Sequence, residues 1–310
     1  MTAAAPALRL VTPQEAESRP ASAVMTGDTA TASSAGWRAK LELAFERRAE
    51  TTVLATCRHE GPLRVQKALH PEGPATAHAI ILHPPGGIAG GDSLVVDVAA
   101  ETGANALLTT PGAGKWYCSA GRPAAQSVRL RVGAGASLEW LPQETILFAG
   151  ADARLASTID LAADARYLGL EILCFGRTAA GERFDHGELK MRTQIRREGR
   201  LLWHENARLP GGCDWLEAAP GLAGFPVSAT LLLAVPESPG AIDPELIAAC
   251  RAIAAPPAAS CGITCIGNLV VARCLCAEAE QAKAWFLELW TLLRPALLWR
   301  SAVMPRIWKT

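Results

Sequence analysis

The chain has 310 residues, half of them hydrophobic, with 30 Lys+Arg balanced by 30 Asp+Glu and no formal net charge at pH 7. A chain of this length buries about three quarters of its unfolded surface, ample for a large core. Balanced charge excludes a general nucleic-acid binder, which needs clustered Lys and Arg, and a polybasic membrane adsorber. It also leaves little self-repulsion and so favours association with protein partners.

Residues 1–36 are rich in Ala, Thr, Ser and Pro, without period and without the basic start and apolar run of a secretory signal. They read as a disordered tail ahead of one domain spanning 37–310. No stretch reaches the ~20 apolar residues of a membrane span, the run at 227–235 being about half that. Nine Cys, an odd number spread without disulfide-scaffold spacing, read as thiols of a reducing cytoplasmic compartment.

From Trp37 the pattern changes. Ala39, Leu41, Leu43 and Phe45 alternate with Arg38, Lys40, Glu42 and Glu46, the period of a half-buried strand. Similar runs follow at 51–58, 78–82, 94–98, 104–109, 127–132, 138–141, 155–161, 166–175, 189–197 and 201–209, separated by Gly, Pro, Asp or Asn. No helical stripe interrupts them, which predicts a mostly β body. Within it Ala104, Ala136 and Ala165 recur at intervals of 32 and 29 residues, each after an apolar run and a small-residue turn. Two architectures fit that return: a β-helix-like stack of layers, or three hairpin turns in a sandwich. Helices come late. Asp243-Pro244-Glu245 caps one over 243–254. The second, 279–298, carries Trp285, Phe286, Leu289, Trp290, Leu293 and Leu297 at three- and four-residue steps, with Pro295 bending its last turn. Between them 263–276 alternates as a strand.

Most catalytic signatures fail. Pro111-Gly-Ala-Gly-Lys115 lacks the leading Gly of a phosphate loop (Thr109 stands there), and Trp116 replaces the magnesium-binding hydroxyl. Gly86-Gly-Ile-Ala-Gly-Gly91 leads into no helix, so a dinucleotide reading fails. The six His never fall two or four apart. Cys261, Cys265, Cys274 and Cys276 on neighbouring strands could suit zinc, but their apolar setting favours core packing. More distinctive is His83-Pro-Pro-Gly-Gly-Ile-Ala-Gly-Gly-Asp92, whose prolines and glycines exceed what a turn needs and suggest backbone presented to a partner. Glu139, Glu144 and Glu171 are carboxylates in otherwise apolar runs, costly to bury unless neutralised or metal-bound.

Those segments, taken with Thr110-Pro-Gly-Ala-Gly-Lys-Trp-Tyr117, Glu139-Trp-Leu-Pro-Gln-Glu144 and Leu173-Cys-Phe-Gly-Arg177 through Gly181-Glu182, resemble the UreD (UreH) family of urease accessory proteins over nearly the whole chain after Trp37. The resemblance implies a β-helix-like fold with two helices and a non-enzymatic nickel-delivery chaperone. Such a factor binds apo-urease structural subunits and, with UreF and through it the GTPase UreG, supports Ni²⁺ insertion, by an internal passage proposed for the family. No tightly bound cofactor is implied, only transient Ni²⁺. Nickel ranks high in the divalent affinity order, so a conduit is better lined by weakly holding carboxylates, carbonyls and water than by Cys and His.

The positions that match these motifs supply the expected partner or passage residues: His83, Gly86, Gly87, Gly90, Gly91, Asp92, Lys115, Glu139, Glu144, Glu171, Arg177 and Glu182, with Glu144 and Glu182 as transient nickel ligands. Two departures stand out: many relatives carry Arg at Cys118 and an acidic residue at Ala149. The Trp-rich face of the last helix (Trp285, Trp290, Trp299) serves either the core or a UreF contact. Apart from the resemblance, two other classes remain. One is a β-fold enzyme using a carboxylate pair such as Glu139 and Glu144, although five residues apart on one strand they point to opposite faces. The other is a metal-free β-solenoid binding module.

Overall fold

The computed structural model of the protein describes residues 36–238 and 240–309; the tail expected over 1–36 lies, apart from Gly36, outside them. The chain enters through a hairpin of β1 (Arg38–Arg48) and β2 (Thr51–Glu60), then β3 (Arg64–Val65). From β4 (Thr76–Leu82) it winds through four coils, each laying a strand in a first sheet, crossing by a loop, and laying a strand in a second. The first coil is β4 and β5 (Ser93–Ala100). The second is β6 (Asn105–Thr109), short β7 (Gly114–Trp116) and β8 (Ala124–Val132). The third is β9 (Ser137–Leu141), short β10 (Thr145–Leu147) and β11 (Asp152–Leu161); the fourth is β12 (Arg166–Phe175) and β13 (Glu188–Arg197).

Antiparallel strands finish both sheets. β14 (Arg200–Pro210) pairs with β13 at the edge of the second sheet. β15 (Val227–Ala234) pairs with β12; after helix α1 (Pro244–Ala252), β16 (Ser260–Ile266) and β17 (Leu269–Cys276) complete the order β16-β17-β15-β12-β9-β6-β4-β3. Helix α2 (Ala279–Leu298) packs on the outer face of the first sheet. The apolar run expected at 227–235 is thus a buried strand, and no helix of the described residues is long and apolar enough to cross a membrane.

The alanine repeat decides between the two architectures. Ser137 N–H donates to the Ala104 carbonyl at 3.0 Å and Arg166 N–H to the Ala136 carbonyl at 3.0 Å, so Ala104, Ala136 and Ala165 stack on successive coils. All three are fully buried at a tight inner corner, where a larger side chain has no room. Intervals of 32 and 29 residues are therefore the climb of one coil: the body is a stacked parallel solenoid, not a sandwich of hairpins.

Alternation along each strand divides the protein into two cores. Within β12, Tyr167, Leu173 and Phe175 face the interior between the sheets, whereas Leu168, Leu170 and Ile172 face the helices. Burial on both faces explains why this strand reads as a nearly unbroken apolar run. Trp285, Phe286, Leu289, Trp290 and Leu293 fill the outer core, each worth roughly 1.5–3 kcal/mol of apolar burial. Trp285 and Trp290 are thus core residues. Trp299, 73% exposed, lies over the Arg166 guanidinium at 3.5 Å.

A buried ionic cluster fastens α2 to the solenoid. Arg294 and Glu139 are both fully buried; the guanidinium donates to Glu139 Oε1 at 2.9 Å and to both Glu72 oxygens at 2.7 Å. Trp290 Nε1 donates to Glu139 Oε2 at 2.9 Å, and Glu72 also meets His78. Burial alone pushes the Glu72 carboxyl up, but hydrogen bonds and charge from His78 and Arg294 prevail and hold it at about 2. Two predictions follow from this cluster. Arg294→Leu leaves two carboxylates buried without their cation and should destabilise the fold by about 3–5 kcal/mol in denaturant melts. Because the folded Glu72 pKa is depressed, its contribution is complete above the usual 4.5 and is lost as pH falls from 4.5 toward 2; Glu72→Gln should abolish that part of the acid-unfolding slope, and an unchanged slope would refute it.

Candidate functional site

The four distinctive sequence segments are the same loop on four successive coils. Ile88, Trp116, Leu147 and Phe175 bridge from coil to coil as a short parallel ladder, all buried. Ile88 N–H donates to the Lys115 carbonyl at 2.7 Å, Phe148 N–H to the Trp116 carbonyl at 3.0 Å and Gly176 N–H to the Leu147 carbonyl at 2.8 Å. Motifs about thirty residues apart thereby form one continuous face.

Close packing between coils accounts for several of the glycines. A Cβ on Gly87 would sit 2.2 Å from Tyr117 Cε2, and one on Gly90 only 2.1 Å from the Ser119 carbonyl oxygen. Gly86 and Gly91 take positive φ of 79° and 95°, and Gly86 is exposed. Asp92 closes the loop from inside: Oδ2 accepts from Ala89 N–H and Oδ1 from Trp37 N–H, both at 2.8 Å. Further along the face, Arg177 donates to Glu182 (Nε–Oε2 3.1 Å) and lies over the Phe148 ring at 4.4 Å. Glu182 Oε1 also accepts from Ala149 N–H at 3.1 Å, tying the fourth loop to the third. The hydrogen bond from Arg177, helped by Ala149, holds the Glu182 carboxyl below its ordinary value. Lys115 is exposed on the second loop, which runs into strand β7 rather than a helix, so no phosphate cradle forms.

Glu139 and Glu144 both turn toward α2, contrary to the opposite faces expected from their spacing, because strand β9 ends at Leu141 and alternation does not continue through Pro142. They remain apart. Glu139 binds Arg294, whereas Glu144 lies in the field of Lys283, eleven residues earlier on the helix and ~16 Å away along its axis. The Cys group packs into the outer core: Cys274 and Cys276 are fully buried, and Cys261 Sγ lies 2.9 Å from Cys274 Sγ. Among the described residues no three His, Cys, Asp or Glu side chains gather as a metal ligand set.

Between the sheets lies an interior cavity of about 400 Å³. Its lining reaches from Leu63 and Ile81 at the first coil to Thr230 and Glu205 beyond the fourth, four strand spacings or about 19 Å along the stack. At the loop side it is bordered by exposed Gly86, Pro111, Gly112 and Lys115, with half-buried His83 beside them. Burial lowers the His83 pKa, partly offset by Asp92.

One ladder row of the second sheet runs Val96, Val128, Ser157, Thr193, Glu205, growing more polar from coil to coil. Opposite its polar end, Glu171, Thr230 and Arg273 are cross-strand neighbours on β12, β15 and β17. Arg273 Nη2 donates to Glu205 Oε1 at 2.6 Å. Burial and the nearby Glu205 charge push the Glu171 carboxyl up to about 7, with Arg273 opposing.

His83, Gly86, Gly87, Lys115 and Glu171 thus border the cavity. Gly90, Gly91, Asp92, Arg177 and Glu182 belong to the loop face, Glu139 to the α2 anchor, and Glu144 lies beside Lys283 of α2. Glu205 and Arg273 escaped the sequence reading. A signal existed for Glu205, which occupies the inward series Trp203, Glu205, Ala207, Leu209 of β14.

Comparison with known proteins places these motifs in a family. The profile of the family described as UreD urease accessory protein matches residues 37–309. The chain belongs to the UreD family. It is 52% identical over 275 residues to urease accessory protein UreD of Azoarcus sp. strain BH72, covering 89% of this chain and 95% of that protein. Urease accessory protein UreD of Dechloromonas aromatica is 51% identical over 277 residues (89% and 96%), and that of Pseudomonas aeruginosa PAO1 51% over 275 (88% and 95%).

Within this UreD-family chain Glu171 makes a testable pH signature. Its folded pKa is raised, so the folded state keeps a proton that the unfolded chain loses near 4.5, and stability falls as pH rises from 4.5 to about 7. Glu171→Gln removes that titration. In urea unfolding the variant should gain on the wild type across this window and level off above it; a gap independent of pH would refute the assignment.

Proposed function

We propose that the protein is a urease maturation factor, an accessory protein rather than a catalyst, that binds apo-urease and supports insertion of Ni²⁺ together with UreF and, through it, the GTPase UreG. The interior cavity is the route of the ion. The observation that carries this reading is the cavity's span across all four coils, with His83 and the loop residues Gly86 and Gly112 at one end and Glu171, Glu205 and Thr230 at the other. Carboxylate and carbonyl oxygens hold a borderline cation loosely, which suits an ion that must leave again. Family membership and about 50% identity to proteins named urease accessory protein supply the urease context.

The ligand role first assigned to Glu144 and Glu182 passes to Glu171 and Glu205. Both Glu182 oxygens are engaged by Arg177 and Ala149, and neither Glu182 nor Glu144 borders the cavity. The stacked loop face, with Arg177, Lys115 and Gly86 exposed, is the surface offered to partners.

Ser157 sits midway along the cavity, so Ser157→Phe obstructs it without removing a hydrogen bond or an ion pair of the fold. Co-expressed with urease structural subunits, UreF and UreG, Ser157→Phe and Glu171→Gln should each pull down the partners as the wild type does, yet lower the nickel content per urease active site several-fold. Full nickel loading with both variants would overturn the route. Equal loading in cells lacking this chain would overturn the function.

A further inference from the structure

Cys118, Gly150 and His186 belong to three different coils, yet parallel stacking brings them together on the loop face. Ser119 N–H donates to the Gly150 carbonyl at 2.8 Å, and Gly150 N–H to the His186 carbonyl at 3.0 Å, so the three backbones are consecutive rungs. Gly150 has φ of 80° and no side chain. The position its Cβ would take lies 2.8 Å from Cys118 Sγ and 3.0 Å from His186 Nε2. A thiol and an imidazole nitrogen therefore approach one small volume, open only because residue 150 is glycine.

We propose that Cys118 Sγ and His186 Nε2 form a two-donor surface site for a borderline divalent transition-metal cation, with water completing its coordination. Three features support it. Thiolate and imidazole are the donor pair that such ions prefer, at about 2.3 Å and 2.1 Å respectively. His186 Nδ1 meets Asp185 Oδ1 at 2.5 Å, the carboxylate–imidazole arrangement that puts the proton on Nδ1 and leaves the Nε2 lone pair for a metal. The backbone beneath the imidazole is held: a Cβ on Gly211 would fall 2.4 Å from the His186 carbonyl carbon, and Gly211 N–H donates to the Gly187 carbonyl at 2.9 Å.

Both side chains are exposed, which leaves the remaining coordination positions open to solvent and the ion free to exchange. Two protein donors hold an ion far less tightly than a closed four-ligand site, as a transfer point requires. As a place where cargo first meets the chain, the site rests on the nickel-delivery reading; as a binding site it stands on geometry alone.

The test is titration of the full-length chain with NiCl₂ under a non-thiol reductant, following thiolate-to-nickel charge-transfer absorbance and equilibrium dialysis. Wild type should develop the band with one bound ion. Cys118→Ser should abolish the band, and His186→Ala should abolish the bound ion seen in dialysis. Asp185→Asn should weaken binding about 10–100-fold, the usual effect of removing the group behind a ligating histidine. Nickel should also slow alkylation of Cys118 selectively among the nine cysteines. A band that survives Cys118→Ser, or wild type without a band and without protection of Cys118, overturns the site. Nickel content of co-expressed urease separates the two ideas: chain-dependent loading with no band removes this site and leaves the maturation role standing, whereas a normal band with chain-independent loading does the reverse.

Discussion

Parallel pairing without slippage is the constraint from which the rest of the molecule follows. Once Thr76, Asn105, Ser137 and Arg166 stand opposite one another, each coil must return to its starting point after a nearly fixed length of chain. A one-residue slip would turn every interior side chain outward. The short turns at one edge leave little latitude; Gly135 N–H, for example, is met by Asp164 Oδ1 of the next coil at 2.8 Å. The crossover loops at the opposite edge are longer, yet they too are tied coil to coil through Ile88, Trp116, Leu147 and Phe175. Those loops stack by necessity, and segments that look unrelated along the chain become one surface.

The same alternation gives two carboxylates opposite fates. Glu139 points out of the solenoid toward α2, where Arg294 and Trp290 satisfy it completely. Such a pair adds little net stability over a well-packed apolar contact, but removing one partner is costly, so it fixes where the helix docks. Glu171 points inward, to a cavity whose nearest cation, Arg273, is already committed to Glu205. Burial and the nearby Glu205 charge push its pKa up to about 7, with Arg273 opposing only in part. One carboxylate is an anchor; the other is held in reserve.

Most strands, both late helices and the coil interval are legible because each is written in local periodicity: alternation for strands, three- and four-residue steps in α2, small residues at each return. The single strand expected over 263–276 is instead the antiparallel pair β16 and β17, because the chain turns at Gly267, where φ is 58°. What the sequence hid depends on partners far along the chain. Arg294 meets Glu72 across 222 positions, and no local pattern announces such a pair. Glu139 and Glu144 were misplaced relative to each other because alternation was carried through Pro142, where the strand stops. The glycines of 86–91 were correctly singled out as constrained. Two of them answer to Tyr117 and Ser119 on the next coil, which becomes visible only when the coils are stacked. The polar row ending at Glu205 was readable in principle, since aligning the coils at their alanine returns puts Val96, Val128 and Ser157 in one column.

An interior proposed to conduct a cation faces two opposed problems, and the raised pKa of Glu171 bears on both. A permanently ionised carboxylate in a confined space would bind any passing cation and hold it, since every 1.4 kcal/mol of extra attraction lengthens occupancy tenfold. A purely apolar wall would present a desolvation barrier instead. A carboxyl whose pKa is pushed up to about 7, as at Glu171, lies between these limits, because nearby positive charge favours its ionised form. On the proposed route, an incoming ion would lower the carboxyl's pKa further and take the proton's place, and the proton would return once the ion left. Tuning of this kind needs the carboxyl to be enclosed by low-dielectric walls and kept from forming a full ion pair, the situation created by placing Glu171 beside, rather than within, the Glu205–Arg273 pair.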